Sequence, residues 1–302
     1  MNTKITIAGA EFKNPVMPAS GTFGFGWEFS KFYDISALGG ICTKGVSLQP
    51  RLGNNMPRIA ETSAGMLNSV GLQNPGVEAF INEELPFLRE HDTVIIVNIF
   101  GNTIEECSRL AEILSETDID MIELNISCPN VSKGGVAFGT DEKTVRQITS
   151  EVKRRCDKPL IVKLSPNVTD IAAIARAAEE GGADALSLIN TILAMRIDVK
   201  NKRTILNNNY GGLSGPAVKA VALRMVHQVY NSVKIPIIGM GGIMTGEDAV
   251  EFMLAGATAV AVGTANIVDP FACIKIIDGI EKYMTEHNVD DVKTLTGGVI
   301  LN

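Results

Sequence analysis

Eight short apolar runs alternate with helix-like segments along this 302-residue chain, and this alternation constrains the fold more than any other feature. Several runs are continuous in Val, Ile and Leu, which is typical of parallel strands buried on both faces. The runs lie at residues 15–20, 39–45, 93–100, 121–128, 159–165, 185–191, 235–242 and 259–265. Between them, segments such as 102–116 and 168–182 have helical periodicity. Eight such units in about 250 residues predict an α/β fold of the (β/α)8 TIM-barrel type.

Two segments depart from the alternation. Residues 4–14 predict a β-hairpin that closes the bottom of the barrel, and residues 46–74 form a long insertion after the second strand. No linker rich in Pro, Ser or charge divides the chain, so we expect a single domain over residues 1–302. A doubly wound open sheet is the competing architecture, because it shares the alternation of strands and helices.

Composition narrows the classes of function. The 27 basic and 34 acidic side chains give a net charge of −7, which argues against a nucleic-acid surface. No apolar run approaches the roughly 20 residues that span a bilayer, and the N-terminus lacks the apolar region of a signal peptide. We therefore expect a cytoplasmic protein. The cysteines are isolated from one another, so we expect no zinc or iron–sulfur site on this chain. They are Cys42, Cys107, Cys128, Cys156 and Cys273.

Polar side chains recur at the carboxyl ends of the predicted strands, where barrel enzymes carry their catalytic residues. They are Ser20, Lys44, Asn98, Asn125, Cys128, Lys163, Asn190 and Thr191. A bound polar ligand can supply the partners that buried polar groups need. A single asparagine of this kind is as easily a satisfied core residue. Six strand ends with the same feature favour a binding site.

The candidates for acid–base chemistry are few. The three histidines lie away from the strand ends, and Glu123, inside the fourth predicted strand, is as readily structural as chemical. The remaining groups are Cys128, Lys44 and Lys163. A thiol with a pKa of about 8.5 can be tuned by its neighbours, so Cys128 could act as a base. For the two lysines, a structural ion pair is the lesser alternative.

Glycines mark the turns after the last two predicted strands, at residues 239–249 and 261–266. In barrels these two loops and a nearby helix N-terminus commonly bind phosphate through backbone N–H groups. Turn chemistry alone would explain either segment, but the two together favour phosphate. Met244 stands where a dinucleotide fingerprint needs its third glycine, so the ligand is expected to be a mononucleotide or a phosphosugar.

Longer motifs occur along nearly the whole chain. They are NPVMPASGTFG (14–24), CTKGVSLQPRLGN (42–54), NSVGLQNPG (68–76), NISCPN (125–130), KLSPNV (163–168), INTILAMRID (189–198), GGLSGPAVK (211–219), GMGGI (239–243) and VGTA (262–265). Through these segments the chain resembles the class 1 dihydroorotate dehydrogenases. The segments GGLSGPA and NTILAMRID are more similar to the 1B subclass than to the fumarate-linked 1A subclass.

The resemblance implies oxidation of (S)-dihydroorotate to orotate in pyrimidine synthesis, with tightly bound FMN. Cys128 would remove the C5 proton while hydride passes from C6 to flavin N5, and residues 129–140 would form a lid. The implied substrate ligands are Lys44, Asn68, Ser69, Val70, Gly71, Leu72, Asn125, Asn130, Asn190 and Thr191. The implied FMN ligands are Ser20, Lys44, Gly45, Asn98, Asn125, Lys163, Ile189 and Gly215, with Gly241, Gly242, Gly263 and Thr264 on the phosphate.

Membership of the 1B subclass would imply transfer of electrons to NAD through a partner subunit that carries FAD and a [2Fe–2S] cluster. The expected assembly is a heterotetramer built on a homodimer of this chain. Three alternatives stay open: a fumarate-linked enzyme of the 1A type, another flavin barrel that acts on pyrimidines, and a flavin-free phosphosugar isomerase or ligand-binding barrel.

Overall fold

The computed structural model describes residues 1–126 and 138–302. Within these ranges the strands are β1 (Ile5–Ile7), β2 (Ala10–Phe12), β3 (Val16–Pro18), β4 (Gly40–Cys42), β5 (Ile59–Thr62), β6 (Gly65–Asn68), β7 (Val94–Ile99), β8 (Met121–Asn125), β9 (Leu160–Lys163), β10 (Ala185–Leu188), β11 (Ile192–Met195), β12 (Ile197–Asp198), β13 (Arg203–Thr204), β14 (Tyr210–Ser214), β15 (Ile237–Met240) and β16 (Ala259–Val262). The helices are α1 (Val77–Ala79), α2 (Leu85–Arg89), α3 (Ile104–Ser115), α4 (Glu142–Arg154), α5 (Ile171–Glu180), α6 (Lys219–Tyr230), α7 (Gly246–Leu254), α8 (Ala265–Val268) and α9 (Ala272–Glu286).

The main sheet contains eight parallel strands, and each of the eight predicted runs contains one of them. Their order is β3-β16-β15-β10-β9-β8-β7-β4. The backbone N–H of Gly39 donates to the carbonyl of Val16 over 3.0 Å, which brings the two edge strands together. Every residue of β9, β10, β15 and β16 is buried, as expected for a sheet covered on both faces. The (β/α)8 barrel prediction is confirmed.

The predicted hairpin at the N-terminus is also confirmed. Strands β1 and β2 pair antiparallel with Ile5 opposite Phe12. The Phe12 side chain is completely buried, and a Cβ atom on Gly40 would lie 2.9 Å from its ring. Because Gly40 begins β4, the hairpin covers the N-terminal ends of the barrel strands, and Phe12 forms part of that floor.

The insertion after the second barrel strand is confirmed, but the sequence analysis missed a second insertion, which follows β10. Strands β5 and β6 come from the first insertion and β11 and β14 from the second. They form one antiparallel sheet in the order β11-β14-β6-β5. A short pair, β12 and β13, extends the second insertion. This antiparallel sheet, which we call the insertion sheet, brings residues 65–68 and 210–214 together, although about 145 residues separate them along the chain.

The two helices predicted at residues 102–116 and 168–182 are confirmed as α3 and α5. The side chain of Thr103 accepts from the N–H of Glu106, and that of Asp170 accepts from the N–H groups of Ala172 and Ala173. These N-caps define where both helices begin. Across residues 1–126 and 138–302, no helix has the length and apolar character needed to cross a membrane.

Candidate active site

The registers of the barrel strands bring the predicted strand-end residues together. Asn98 on β7 pairs in register with Glu123 on β8. Asn125, the last residue of β8, is level with Lys163 on β9, and Lys163 is level with Ser187 on β10. Polar side chains from four consecutive strands therefore occupy neighbouring positions at the carboxyl end of the barrel.

A buried carboxylate lies at the centre of these residues. Glu123 Oε1 accepts from Asn98 Nδ2 at 2.6 Å and from Cys42 Sγ at 3.2 Å, and Oε2 accepts from Ser187 Oγ at 2.6 Å. Lys163 Nζ lies 3.6 Å from Oε1. We call these five residues the Glu123 network. Burial alone would raise the pKa of Glu123, but the Lys163 ammonium and the three hydrogen bonds lower it, so the carboxylate is ionised.

The network answers two points that the sequence left open. Glu123 is a structural partner, because both of its oxygens are engaged within the chain. The ion-pair alternative applies to Lys163, whose side chain is only 5% exposed beside Glu123. It does not apply to Lys44, because no carboxylate of the described ranges lies within ion-pair distance of its ammonium. Burial, followed by repulsion from Arg58, lowers the pKa of Lys44.

The two polar atoms of the Asn98 amide are in different surroundings. Its side chain is 1% exposed, and Oδ1 is buried without a donor in the part of the chain that the structure describes. A Cβ atom on Gly45 would lie 2.7 Å from this oxygen and 3.0 Å from the ring of Phe100. Glycine at position 45 therefore lets the backbone approach this acceptor closely, and a larger residue there would displace the Asn98 amide or the Phe100 ring.

The segment 68–72 is held by neighbouring amides. Asn54 Nδ2 donates to the carbonyl of Ser69 at 3.0 Å, and the N–H of Asn54 donates to the carbonyl of Val70 at 2.9 Å. Asn74 Nδ2 donates to the carbonyl of Leu72 at 2.9 Å, while its Oδ1 accepts from the N–H of Ser47 at 3.1 Å. Asn54 and Asn74 thus brace the segment. Both asparagines lie in segments that carry the family resemblance, but neither was predicted as a site residue.

A second braced segment follows β10. The N–H of Thr191 donates to Asn190 Oδ1 at 2.9 Å, and Asn167 Nδ2 donates to the carbonyl of Thr191 at 3.1 Å. Asn167 Oδ1 also accepts from the N–H of Leu193 at 3.0 Å. The Thr191 side chain packs against Gly212, where an added Cβ would overlap its hydroxyl oxygen. Sequence reasoning missed Asn167, which lies within the KLSPNV segment.

Glycines from three loops meet near the ends of β15 and β16. A Cβ on Gly215 would lie 2.7 Å from Gly65 Cα and 3.4 Å from Thr264 Cγ2, and one on Gly242 would lie 2.9 Å from the carbonyl oxygen of Gly215. Gly215 and Gly242 have φ values of +93° and +82°, which glycine adopts without strain. The glycine cradle comprises Gly65, Gly215, Gly241, Gly242, Gly263 and Thr264. Gly65 was not predicted as a site residue, because it lies in the insertion sheet, whose strand pairing was not predicted.

The two helices that follow the cradle differ at their N-termini. Helix α7 is closed by its own capping box, in which Thr245 accepts from the N–H of Asp248 and the Asp248 carboxylate accepts from the N–H of Thr245. With this carboxylate in place, the α7 N-terminus is not suited to bind an anion. Helix α8 begins directly after Gly263 and Thr264, and a Cβ on Gly263 would have only one neighbour within 4 Å, at 3.8 Å. Gly263 therefore faces open space directly before α8.

The other predicted site residues are distributed as follows. Ser20 lies two residues after β3, and Ile189 is buried beside Gly241. Asn68 ends β6, and its Nδ2 donates to the carbonyl of Gly212 at 3.4 Å. Gly71 lies against Asn54. Cys128, Asn130 and residues 129–137 of the predicted lid lie outside the described residues.

The fold and the site define an α/β-barrel protein whose strands end in a cluster of charged and amide side chains beside a group of close-packed glycines. The family model described as dihydroorotate dehydrogenase matches residues 2–284. The chain belongs to the dihydroorotate dehydrogenase family.

Relatives match the chain over almost its full length. It is 60% identical over 296 residues to a protein of Alkaliphilus oremlandii, covering 98% of both chains. It is 58% identical over 299 residues to a protein of Alkaliphilus metalliredigens, covering 99% of both chains. It is 56% identical over 299 residues to one of Lachnoclostridium phytofermentans, covering 99% of this chain and 100% of the relative. Each is named dihydroorotate dehydrogenase B (NAD(+)), catalytic subunit.

Proposed function

We propose that this chain is the catalytic subunit of an NAD-linked dihydroorotate dehydrogenase, which oxidises (S)-dihydroorotate to orotate in pyrimidine synthesis. The observation that carries the proposal is a pair of unused polar groups at the carboxyl end of the barrel. The Lys44 ammonium has no carboxylate partner in the described ranges, and Asn98 Oδ1 has no donor there. In a chain of this family, the ammonium suits an anionic group of a ligand, and the amide oxygen suits an N–H group of a ligand.

FMN is the proposed cofactor, and the residues present fit it. The glycine cradle admits a phosphate beside α8, and the buried Asn98 Oδ1 can accept a hydrogen bond from the bound cofactor. When bound, FMN would supply the acceptor for the hydride that leaves C6 of dihydroorotate. The Lys163 ammonium would contribute positive charge beside the ring. The proposed FMN ligands are Ser20, Lys44, Gly45, Asn98, Asn125, Lys163, Ile189, Gly215, Gly241, Gly242, Gly263 and Thr264.

Orotate is a planar ring with amide edges and a carboxylate, which amide side chains and a lysine recognise well. Lys44 pairs with the carboxylate in this proposal, because its charge is unused within the described chain. The bracing of segments 68–72 and 190–191 supports their assignment, because braced backbone groups hold a ligand in one orientation. The proposed substrate ligands are Lys44, Asn68, Ser69, Val70, Gly71, Leu72, Asn125, Asn130, Asn190 and Thr191.

Cys128 is the proposed base that removes the C5 proton. The other four thiols are buried, and burial raises the pKa of each, to about 12 for Cys107 and Cys273. Glu123 is engaged through both oxygens, so it is not free to take a proton from a substrate. Cys128 is supported because the other thiols and Glu123 are poorly suited to act as the base.

The electrons are proposed to pass to NAD through a partner subunit that carries FAD and a [2Fe–2S] cluster. The words "catalytic subunit" in the names of the relatives support the existence of a partner. A heterotetramer on a homodimer core, one domain over residues 1–302 and a cytoplasmic location all remain part of the proposal.

The test is anaerobic reduction of the purified, FMN-loaded chain. Addition of dihydroorotate should bleach the visible flavin absorbance, and dihydrouracil at the same concentration should leave it unchanged. Bleaching by dihydrouracil alone would favour a different pyrimidine substrate. Protein that stays colourless after incubation with FMN would contradict the proposal, whereas NADH production that requires an added iron–sulfur flavoprotein would support the proposed route to NAD.

A further inference from the structure

The geometry of the Glu123 network determines which way the Asn98 amide points. A carboxylate only accepts hydrogen bonds, so the Asn98 atom 2.6 Å from Glu123 Oε1 must be the NH₂ nitrogen. The other amide atom, Oδ1, is then directed away from Glu123, towards Gly45, where an added Cβ would lie 2.7 Å from it. That oxygen is buried and has no donor among residues 1–126 and 138–302. Glu123 therefore dictates that an acceptor, and not a donor, is offered there.

Glu123 also balances a charge. Its Oε1 lies 3.6 Å from Lys163 Nζ, and the exposed fractions of these side chains are 3% and 5%. In surroundings of low polarity, a carboxylate this close strongly reduces the electrostatic effect of the ammonium on any neighbouring group. Without Glu123, Lys163 would present an uncompensated positive charge at the end of β9.

We infer that Glu123 is a positioning residue for bound FMN: it orients Asn98 so that Oδ1 accepts from an N–H or O–H group of the cofactor, and it moderates the charge of Lys163. This inference rests on the proposed function, because it assigns to Glu123 a role towards the cofactor of that function. Glu123 itself does not touch the reacting atoms in this scheme. It acts through two residues that the family resemblance already implicates.

Two substitutions separate the two roles. Glu123→Gln removes the charge but keeps an acceptor for Asn98, because the new amide nitrogen can donate to the Ser187 hydroxyl, which accepts as well as donates. Glu123→Met has a similar volume but removes the charge and the acceptor together, so the Asn98 amide loses its anchor. A residue that only filled space would alter stability in both variants and leave the properties of the flavin unchanged.

The reduction potential of the FMN-loaded protein tests the charge role. In Glu123→Gln the uncompensated Lys163 should favour the reduced flavin about tenfold, which corresponds to a potential about 30 mV more positive for a two-electron couple. FMN should bind Glu123→Gln within about threefold of the wild type. In Glu123→Met the dissociation constant for FMN should rise about tenfold or more, because the Asn98 acceptor is no longer held in place.

Asp120→Asn is the matched control. Asp120 precedes β8, the strand that carries Glu123, and its Oδ2 accepts from the N–H of Ile95 at 2.7 Å and from Arg89 Nη2 at 3.2 Å. The change also converts a hydrogen-bonded, ion-paired carboxylate into an amide, but at the opposite end of the strand. It should lower the melting temperature and leave the potential and the FMN affinity as in the wild type.

The outcomes are decisive even if Glu123→Met does not fold. An unchanged potential in Glu123→Gln overturns the inference, and so does a potential that shifts equally in Asp120→Asn. Wild-type affinity for FMN in folded Glu123→Met overturns the orienting role. If the wild-type chain takes up no FMN, the proposed function fails as well, whereas normal uptake with unaltered variants removes only the inference about Glu123.

Discussion

Several polar side chains at the two ends of the barrel differ in whether they have hydrogen-bond or ion-pair partners. At the N-terminal end, Asp120 and Asp184 accept from the N–H groups of Ile95 and Leu160, each at 2.7 Å, and each carboxylate also pairs with a basic side chain. The Phe12 ring is buried beneath the strands there. At the carboxyl end, Asn98 Oδ1 has no partner in the described ranges.

The lysines show the same contrast. Lys153, beside the N-terminal end, lies 2.6 Å from Asp184 Oδ2, whereas Lys44 at the other end forms no ion pair with a described carboxylate. Unpaired groups near a protein interior are unfavourable unless a ligand satisfies them. Lys44 and Asn98 therefore mark the carboxyl end as a binding end, although Lys163 and Glu123 pair with each other there. We expect substitutions of Lys44 or Asn98 to affect ligand binding, and substitutions of the paired residues at the N-terminal end to affect stability.

Loss of the proposed base should have the largest effect. Cys128→Ala should slow flavin reduction by dihydroorotate by up to about 10⁴-fold near neutral pH, because proton removal from C5 loses its catalyst. FMN and orotate should still bind. Stopped-flow absorbance measures the rate, and the wild-type rate should rise with pH as a thiol of ordinary pKa, about 8.5, ionises. Turnover that survives in Cys128→Ala, or a flat wild-type profile, would assign the base elsewhere.

Loss of a buried side chain at the N-terminal end of the barrel should reduce stability and leave ligand binding unchanged. Phe12→Ala leaves a cavity below the strands and should lower the free energy of unfolding by about 3–5 kcal/mol. Denaturant titration measures this change. FMN affinity of the folded fraction, measured by fluorescence quenching, should match the wild type. Weakened FMN binding in Phe12→Ala would contradict the claim that this residue at the N-terminal end affects stability alone.

The barrel was predictable from the sequence because strands of a covered parallel sheet are apolar throughout, and such runs are visible without knowledge of their neighbours. The positions of Asn98 and Lys163 at the carboxyl end followed from the same periodicity. The insertion sheet was not predictable. Its strand β14 contains Gly211 and Gly212 and is stabilised by pairing with β6 and β11, so its local sequence does not indicate a strand.

Within the site, the sequence identified polar residue types but not their partners. Asn74 and Asn167 have the same side chain as Asn98, yet they brace loops, while Asn98 Oδ1 has no donor among the residues that the structure describes. The ionised state of Glu123 depends on residues from four other strands or strand ends. Such contacts are tertiary, and no spacing along one strand encodes them.

An added methyl group in the glycine cradle should reduce both stability and FMN binding. Gly242→Ala places a Cβ 2.8 Å from Lys219 Cβ and 2.9 Å from the Gly215 carbonyl at a φ of +82°. We expect a loss of about 2–4 kcal/mol in unfolding free energy together with weaker FMN binding. Gly9→Ala is the control, because its φ is +88° but nothing lies within 4 Å. It should show only the strain of the backbone, with unchanged FMN affinity. Equal behaviour of the two variants would argue against a ligand at the cradle.

The smallest expected effect concerns Lys44. Lys44→Met should weaken orotate binding about tenfold to a hundredfold, because a charged hydrogen bond is lost. Burial lowers the pKa of Lys44 in the folded chain, so the unfolded chain binds more protons between the folded and unfolded pKa values. In that window, just below the ordinary lysine pKa, the free energy of unfolding should rise with pH, and Lys44→Met should remove this increase. At neutral pH the variant should be at least as stable as the wild type.

The matched control for this last change is Lys153→Met, at the other end of the barrel. Lys153 is ion-paired with Asp184 and about one third exposed, so its loss should lower the free energy of unfolding by no more than about 1 kcal/mol. Orotate affinity, followed by flavin absorbance, should stay at the wild-type value in Lys153→Met. In the wild type it should decline as pH rises towards the lysine range, and in Lys44→Met it should be weak at every pH. If Lys44→Met instead loses stability and keeps its affinity, Lys44 belongs to the stabilising set.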